Sequence, residues 1–322
     1  MDLKLDSYIP LHETDNTKDF LRDFFEILPP NGSKNLAADI AGCATDTQLR
    51  QLVQSIRSGL LIPLKGQGGK TPTDVTPSRL GVEDSIENLK SQDIGSITRS
   101  SQSRLRTRCL ERDGNQCCIT GYYSPSHPHP PNVATHPLEA AHILPFALGS
   151  FKASDGQSVD QHTTIWVNLL RYFPALREMA FTSEEINSEK NVLMLNSVLH
   201  AEFGQFRMIF EETEVIHQYH IKTFPEISSV PIRDLPSDRI VRFTVHKGSS
   251  ELPDPYLLKI HACIGNFLHI SGQAEVIDKI LEDFGDCGSL APSGSTPLED
   301  ILAVSSLALL SSNVLETADP HG

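Results

Sequence analysis

Three short phrases in the middle of the chain carry residue types that could do chemistry. The first is Cys117-Cys118-Ile119-Thr120-Gly121, and the second is Glu139-Ala140-Ala141-His142-Ile143-Leu144-Pro145. The third opens at Asn191, reaches His200 after eight intervening residues, and closes on Phe203-Gly204. An imidazole titrates near neutrality, so His142 and His200 could move a proton or bind a metal ion at working pH. A single histidine in a strand is more often a satisfied core or surface residue. Glu139 adds a carboxylate two positions before Ala141, on the same side of a strand.

In order and spacing the three phrases resemble the HNH endonucleases, and within them the fungal branch; His269-Ile270-Ser271-Gly272 fits a later phrase of that branch. The resemblance implies a ββα-metal core, a hairpin packed on a helix, that hydrolyses DNA phosphodiesters with a divalent cation. It implies that His142, ending the first strand, is the general base, and that His200, one turn into the helix, is a metal ligand. Asn191 would lie on the loop joining the second strand to the helix, its amide bracing the loop so as to orient His142. Many family members carry Asp or His directly before the catalytic histidine, where this chain has Ala141. Glu139 is the expected replacement as second metal ligand, and Asn196 is the alternative. One histidine plus oxygen ligands suits Mg²⁺, Mn²⁺ or Zn²⁺ equally. The four-cysteine zinc site of some relatives is excluded, because Cys118 matches one position while Gly121, Asn196 and Leu199 occupy the others. The competing reading is an HNH fold kept as a nucleic-acid or protein-binding module without useful catalysis; an intact His142 argues against it.

Arg99, Arg104, Arg106, Arg108 and Arg112 cluster just before the first phrase. Alone they read as a solvated helix face; at the entrance of a nuclease core, Arg104, Arg106 and Arg108 become expected phosphate contacts. His127, His129 and His136 sit among prolines and read as a solvated loop. The Gly66-Gln67-Gly68-Gly69-Lys70-Thr71 stretch lacks the first glycine of a phosphate-binding loop and runs into Pro72, so it is rejected.

Around these phrases, LEAAHIL and NVLML read as strands, CCITGYY as strand-prone, FRMIFEE with VIHQYHIKTF as a hairpin, and RIVRFTVHKG as a further strand. Helical spacing marks TKDFLRDFFEIL, the residues after Asp46, Trp166–Met179, Pro255–Ser271 and Glu275–Phe284, with a loop between Leu148 and Thr164. The expected class is α+β: an HNH core with flanking helices and an additional hairpin, a helical N-terminal region and a disordered tail. The expected map is a helical region over 1–62, a flexible linker over 63–98 and the nuclease domain over 99–224. A strand–helix extension packed on the core follows over 225–284, then a weakly ordered acidic tail over 285–322.

The net charge of −14 is awkward for a DNA-binding chain, but residues 275–322 hold nine acids against Lys279, so −8 of it lies near the C-terminus. No apolar run spans a bilayer, no secretory signal opens the chain, and six scattered cysteines suggest no disulfide scaffold; an intracellular protein with no membrane partner is expected. DNA is the expected partner. The N-terminal helices or the acidic tail would serve a protein partner, and one active site per chain would favour a homodimer for cutting both strands.

Overall fold

In the computed structural model, residues 2–67, 99–149, 156–248 and 250–286 are described. Their helices include α1 (Thr17–Ile27), α2 (Pro30–Gly42), α3 (Asp46–Ile56), α4 (Ile62–Gln67), α5 (Arg99–Arg112), α6 (Gly156–Tyr172), α7 (Ser197–Gly204), α8 (Pro255–Ile270) and α9 (Gln273–Asp286). The strands are β1 (Leu138–His142), β2 (Val192–Asn196), β3 (Met208–Glu212), β4 (Gln218–Thr223) and β5 (Ile240–Arg242).

The chain divides into two units that interleave along the sequence. Described residues up to Gly66, from 156 to Phe181 and from Cys263 onward form a helical unit, and 99–149 with 182–262 form the unit carrying the three phrases. This departs from the consecutive map expected above. The stretch 225–284 is divided inside α8, and α6 belongs with the N-terminal helices.

In the helical unit, Phe20, Leu21 and Phe24 form the buried stripe of α1. Phe24 meets Tyr172 edge-on at 5.3 Å and Phe267 at 4.9 Å, so α1 is joined to α6 and to the C-terminal part of α8. A Cβ at Gly32 would lie 2.0 Å from the Tyr172 carbonyl oxygen, so only glycine lets α2 pass this close to α6. Of the linker expected over 63–98, Pro63 to Gln67 lie in α4, and 68–98 lie outside the described residues. Proline cannot donate an N–H within a helix. The turn before it widens to a π-turn over Arg57–Leu61, with Ile62 N–H reaching Arg57 O, and the helical course continues. The stretch beyond 286, expected as an acidic tail, lies outside the described residues, as do 150–155; from Gly156 the expected Leu148–Thr164 loop is helix.

The second unit is mixed α and β, as expected. β1 and β2 pair antiparallel, with Leu138 opposite Asn196 and His142 opposite Val192. β2 has five buried residues and runs directly into α7, which packs on both strands. Asn196 caps that helix, its Oδ1 accepting from Leu199 N–H at 2.8 Å. β3, β4 and β5 form a separate antiparallel sheet with β4 central, around Phe210, Tyr219 and Phe243. CCITGYY is no strand: it folds into a tight loop with Gly121 at φ +70° and Gly121 N–H on Cys117 O. Only isolated bridges at Gln116, Tyr123 and Thr135 remain of its strand character.

Candidate functional site

His142 ends β1 and His200 is the fourth residue of α7, so strand pairing and the helix that follows bring the two phrases into one ββα unit. His200 is 2% exposed. Its Nδ1 donates to Glu139 Oε2 at 2.6 Å, since a carboxylate can only accept. The bond crosses from α7 to β1, and it holds the Glu139 carboxyl below the usual carboxylate range, with the His200, Arg106 and His136 charges adding to the effect. In the neutral ring, a proton held on Nδ1 leaves the Nε2 lone pair as the donor His200 can offer.

The two ring nitrogens of His142 are closed off from solvent and make no hydrogen bond within the chain. Burial pushes this imidazole down to about 4; the Asn187 side chain and, less strongly, the Ala140 backbone oppose the shift, and positive charge on His200 adds to it. His142 is therefore a neutral imidazole at neutral pH. Phe146 stands edge-on to it at 5.3 Å.

Asn191 lies before β2, in a short 3₁₀ turn over Glu189–Asn191, rather than on the loop between the second strand and the helix. The strand itself supplies the link to α7, leaving no loop there. Asn191 is fully buried and closes a two-way bond with Leu144: its Oδ1 accepts from Leu144 N–H at 2.8 Å and its Nδ2 donates to Leu144 O at 2.9 Å. Nδ2 also donates to Ile186 O at 2.9 Å. Three bonds thus fix the chain two residues beyond His142. Asn191→Ala should lower stability by about 3 kcal/mol, because buried groups of Leu144 and Ile186 lose their partner. A urea midpoint shift worth under about 1 kcal/mol would show that this brace is dispensable.

The arginines are largely engaged in fastening α5. Arg106 Nη2 donates to Leu138 O at 3.0 Å, tying the helix to the start of β1. Arg108 pairs with Glu189 at 2.9 Å and is still more than half exposed. Arg112 is buried, pairing with Asp113 and donating to the carbonyls of Glu189, Val192 and Glu251. Arg104 is exposed. In the proline-rich loop His127 bonds Ser124, and His129 and His136 bond the carbonyls of the prolines that follow them.

Two residues near the site had no sequence signal beyond position. Asn187 ends a 3₁₀ turn before Asn191, and its Oδ1 is buried without a partner. His261, read from the sequence as structural, stacks flat on Phe203 at 3.9 Å and on Phe206 at 4.3 Å, with Nε2 3.1 Å from Phe203 O. It secures the far end of the helix that carries His200.

The family model described as HNH endonuclease matches residues 117–211, which include β1, β2, α7 and β3. No curated protein and no solved structure matches the chain. Among the described residues, no three His, Cys, Asp or Glu side chains come together to hold a metal ion, and no helix is long and apolar enough to cross a membrane.

Proposed function

Residues 117–211 form an HNH endonuclease domain, and from this we propose that the protein is a metal-dependent endonuclease that cleaves DNA with His142 as general base. The observation that carries the reading is the pairing of a neutral, unbonded His142 with a His200 whose tautomer is set by Glu139, on one ββα unit. A neutral imidazole can accept a proton from water; a protonated one cannot.

His200 Nε2 would hold the cation. The residues fit a ligand-poor site, in which the chain supplies one imidazole of fixed tautomer and water and phosphate oxygens fill the other positions. When bound, a divalent cation stabilises the charge that develops on the phosphate. Glu139, with Oε2 engaged on Nδ1, acts in this reading by orienting His200 and strengthening its donor atom. Asn191 keeps the turn after His142 in place. Arg104, with the exposed part of Arg108 and the Arg106 guanidinium beside β1, would meet the DNA backbone. Both His142 nitrogens are covered, so substrate binding must expose one of them.

Plasmid nicking by the purified chain, with and without added Mg²⁺, Mn²⁺ or Zn²⁺, tests the reading. His200→Ala should lower metal affinity measured by calorimetry about 10–100-fold, with partial recovery of nicking at high metal. Nicking that ignores metal, or calorimetry unchanged in that variant, would refute this assignment of His200.

A further inference from the structure

We propose that Asn187, outside the three phrases, is the positioning residue that sets which ring nitrogen of His142 carries the proton. A neutral imidazole has one N–H and one lone pair, and only the nitrogen with the lone pair can act as base. His142 has two buried ring nitrogens without a partner in the chain, and Asn187 has a buried carbonyl oxygen in the same state. The turn carrying Asn187 packs against the segment Phe146–Gly149 just beyond β1, which brings the amide to the His142 end of the strand. Asn187 Nδ2 is directed at Ser101 Oγ, 3.5 Å away, and this orients Oδ1 as the free acceptor. The influence of the Asn187 side chain on His142 is the one expected of an acceptor near a ring N–H: it favours the protonated ring, against burial.

An acceptor beside one nitrogen holds the proton there and leaves the lone pair on the other. Asn191, four residues later, fixes the backbone, whereas Asn187 addresses the ring itself, more strongly than the Ala140 backbone that acts on it in the same direction. The buried Asn187 carbonyl oxygen is the acceptor and a His142 ring N–H the donor that this pairing joins. The role in cleavage rests on His142 being the base; the pairing of the two side chains does not.

The test uses the full chain labelled with ¹⁵N-histidine, and long-range ¹H–¹⁵N spectra that report the tautomer of each ring. His142→Gln identifies the His142 signals among those of the thirteen histidines. The parent should show His142 in one neutral tautomer. Asn187→Leu, similar in size and without an acceptor, should show both tautomers in exchange, and Asn187→Asp, which keeps an acceptor, should return to one. Should the leucine variant fail to fold, Asn187→Ala is read in the same way. In nicking assays the leucine variant should lose about 10–100-fold in kcat at unchanged KM, and the aspartate variant should recover much of it. A His142 spectrum that is the same in parent and Asn187→Leu, or a mixture already in the parent, overturns the proposal. If the tautomer responds as described while the parent cuts no DNA, the pairing stands and the nuclease reading falls.

Discussion

Replacing His142 with alanine should reduce DNA cleavage by about 10²–10⁴-fold, the usual contribution of a positioned acid–base group, while leaving DNA binding close to that of the parent. The ring makes no hydrogen bond in the chain, so its removal leaves no donor or acceptor stranded. Its loss opens a space beside Phe146. His200 and Glu139 keep their bond, so metal binding should persist. The check is to measure nicking rate and gel-shift affinity on one preparation, with circular dichroism confirming the fold. A variant that nicks as fast as the parent would place any cleavage at another site and make a binding module the better reading.

The unit carrying the HNH domain should lose stability steeply between pH 6.5 and 4. Burial pushes His142 down to about 4 and His261 to about 3, against 6.5 for an unhindered imidazole. Below pH 6.5 the unfolded chain takes up a proton at each position while the folded chain does not, so each lowers stability by about 1.4 kcal/mol per pH unit. The slope from His142 ends near pH 4 and that from His261 near pH 3, where the folded forms also accept protons. Above pH 6.5 neither contributes a slope. Urea unfolding followed from pH 7 to pH 4 should show close to two protons taken up per molecule in the lower part of that window. His261→Phe keeps the aromatic stack on Phe203 and Phe206 and should remove one of them. Stability flat from pH 7 to 5, or a slope unaltered by His261→Phe, would show that these rings are solvated.

The parts of the fold that repeat a short period were legible in the sequence. β2 is a run of apolar residues closed by a polar one, β4 alternates, and α1, α3, α8 and α9 show helical spacing. α2 was hidden because Pro29-Pro30-Asn31-Gly32 reads as a turn, whereas Pro30 opens the helix and Gly32 serves its close approach to Tyr172. Asn191 could be named from its spacing to His200, but its place before β2 could not, since the strand's start depends on pairing with residues some fifty positions away. Glu139 was identified as a carboxylate near the site; that its oxygen meets Nδ1 of His200 follows from the register of β1 against β2 and the entry of α7. The arginine cluster shows the limit of charge counting. Arg112 looks like its neighbours in sequence, yet it lies at the buried end of α5 and serves three backbone carbonyls.

The interleaving of the two units bears on how the half carrying the HNH-type stretch could ever be moved or expressed by itself. The shortest continuous stretch containing all its described residues, 99–262, carries 156–181 along as a passenger. Ile165, Leu169, Tyr172, Phe173 and Leu176 of that passenger are buried in the helical unit, and Tyr172 leans on Phe24 and on the backbone beside Gly32. Cut free, these five side chains would face water at about 1.5–3 kcal/mol each, and the excised piece should self-associate. Joining residue 149 to residue 182 through a short polar loop would remove the passenger. Without such surgery the two halves stay linked in one chain, which makes the HNH-type half a poor candidate for transfer by simple domain shuffling.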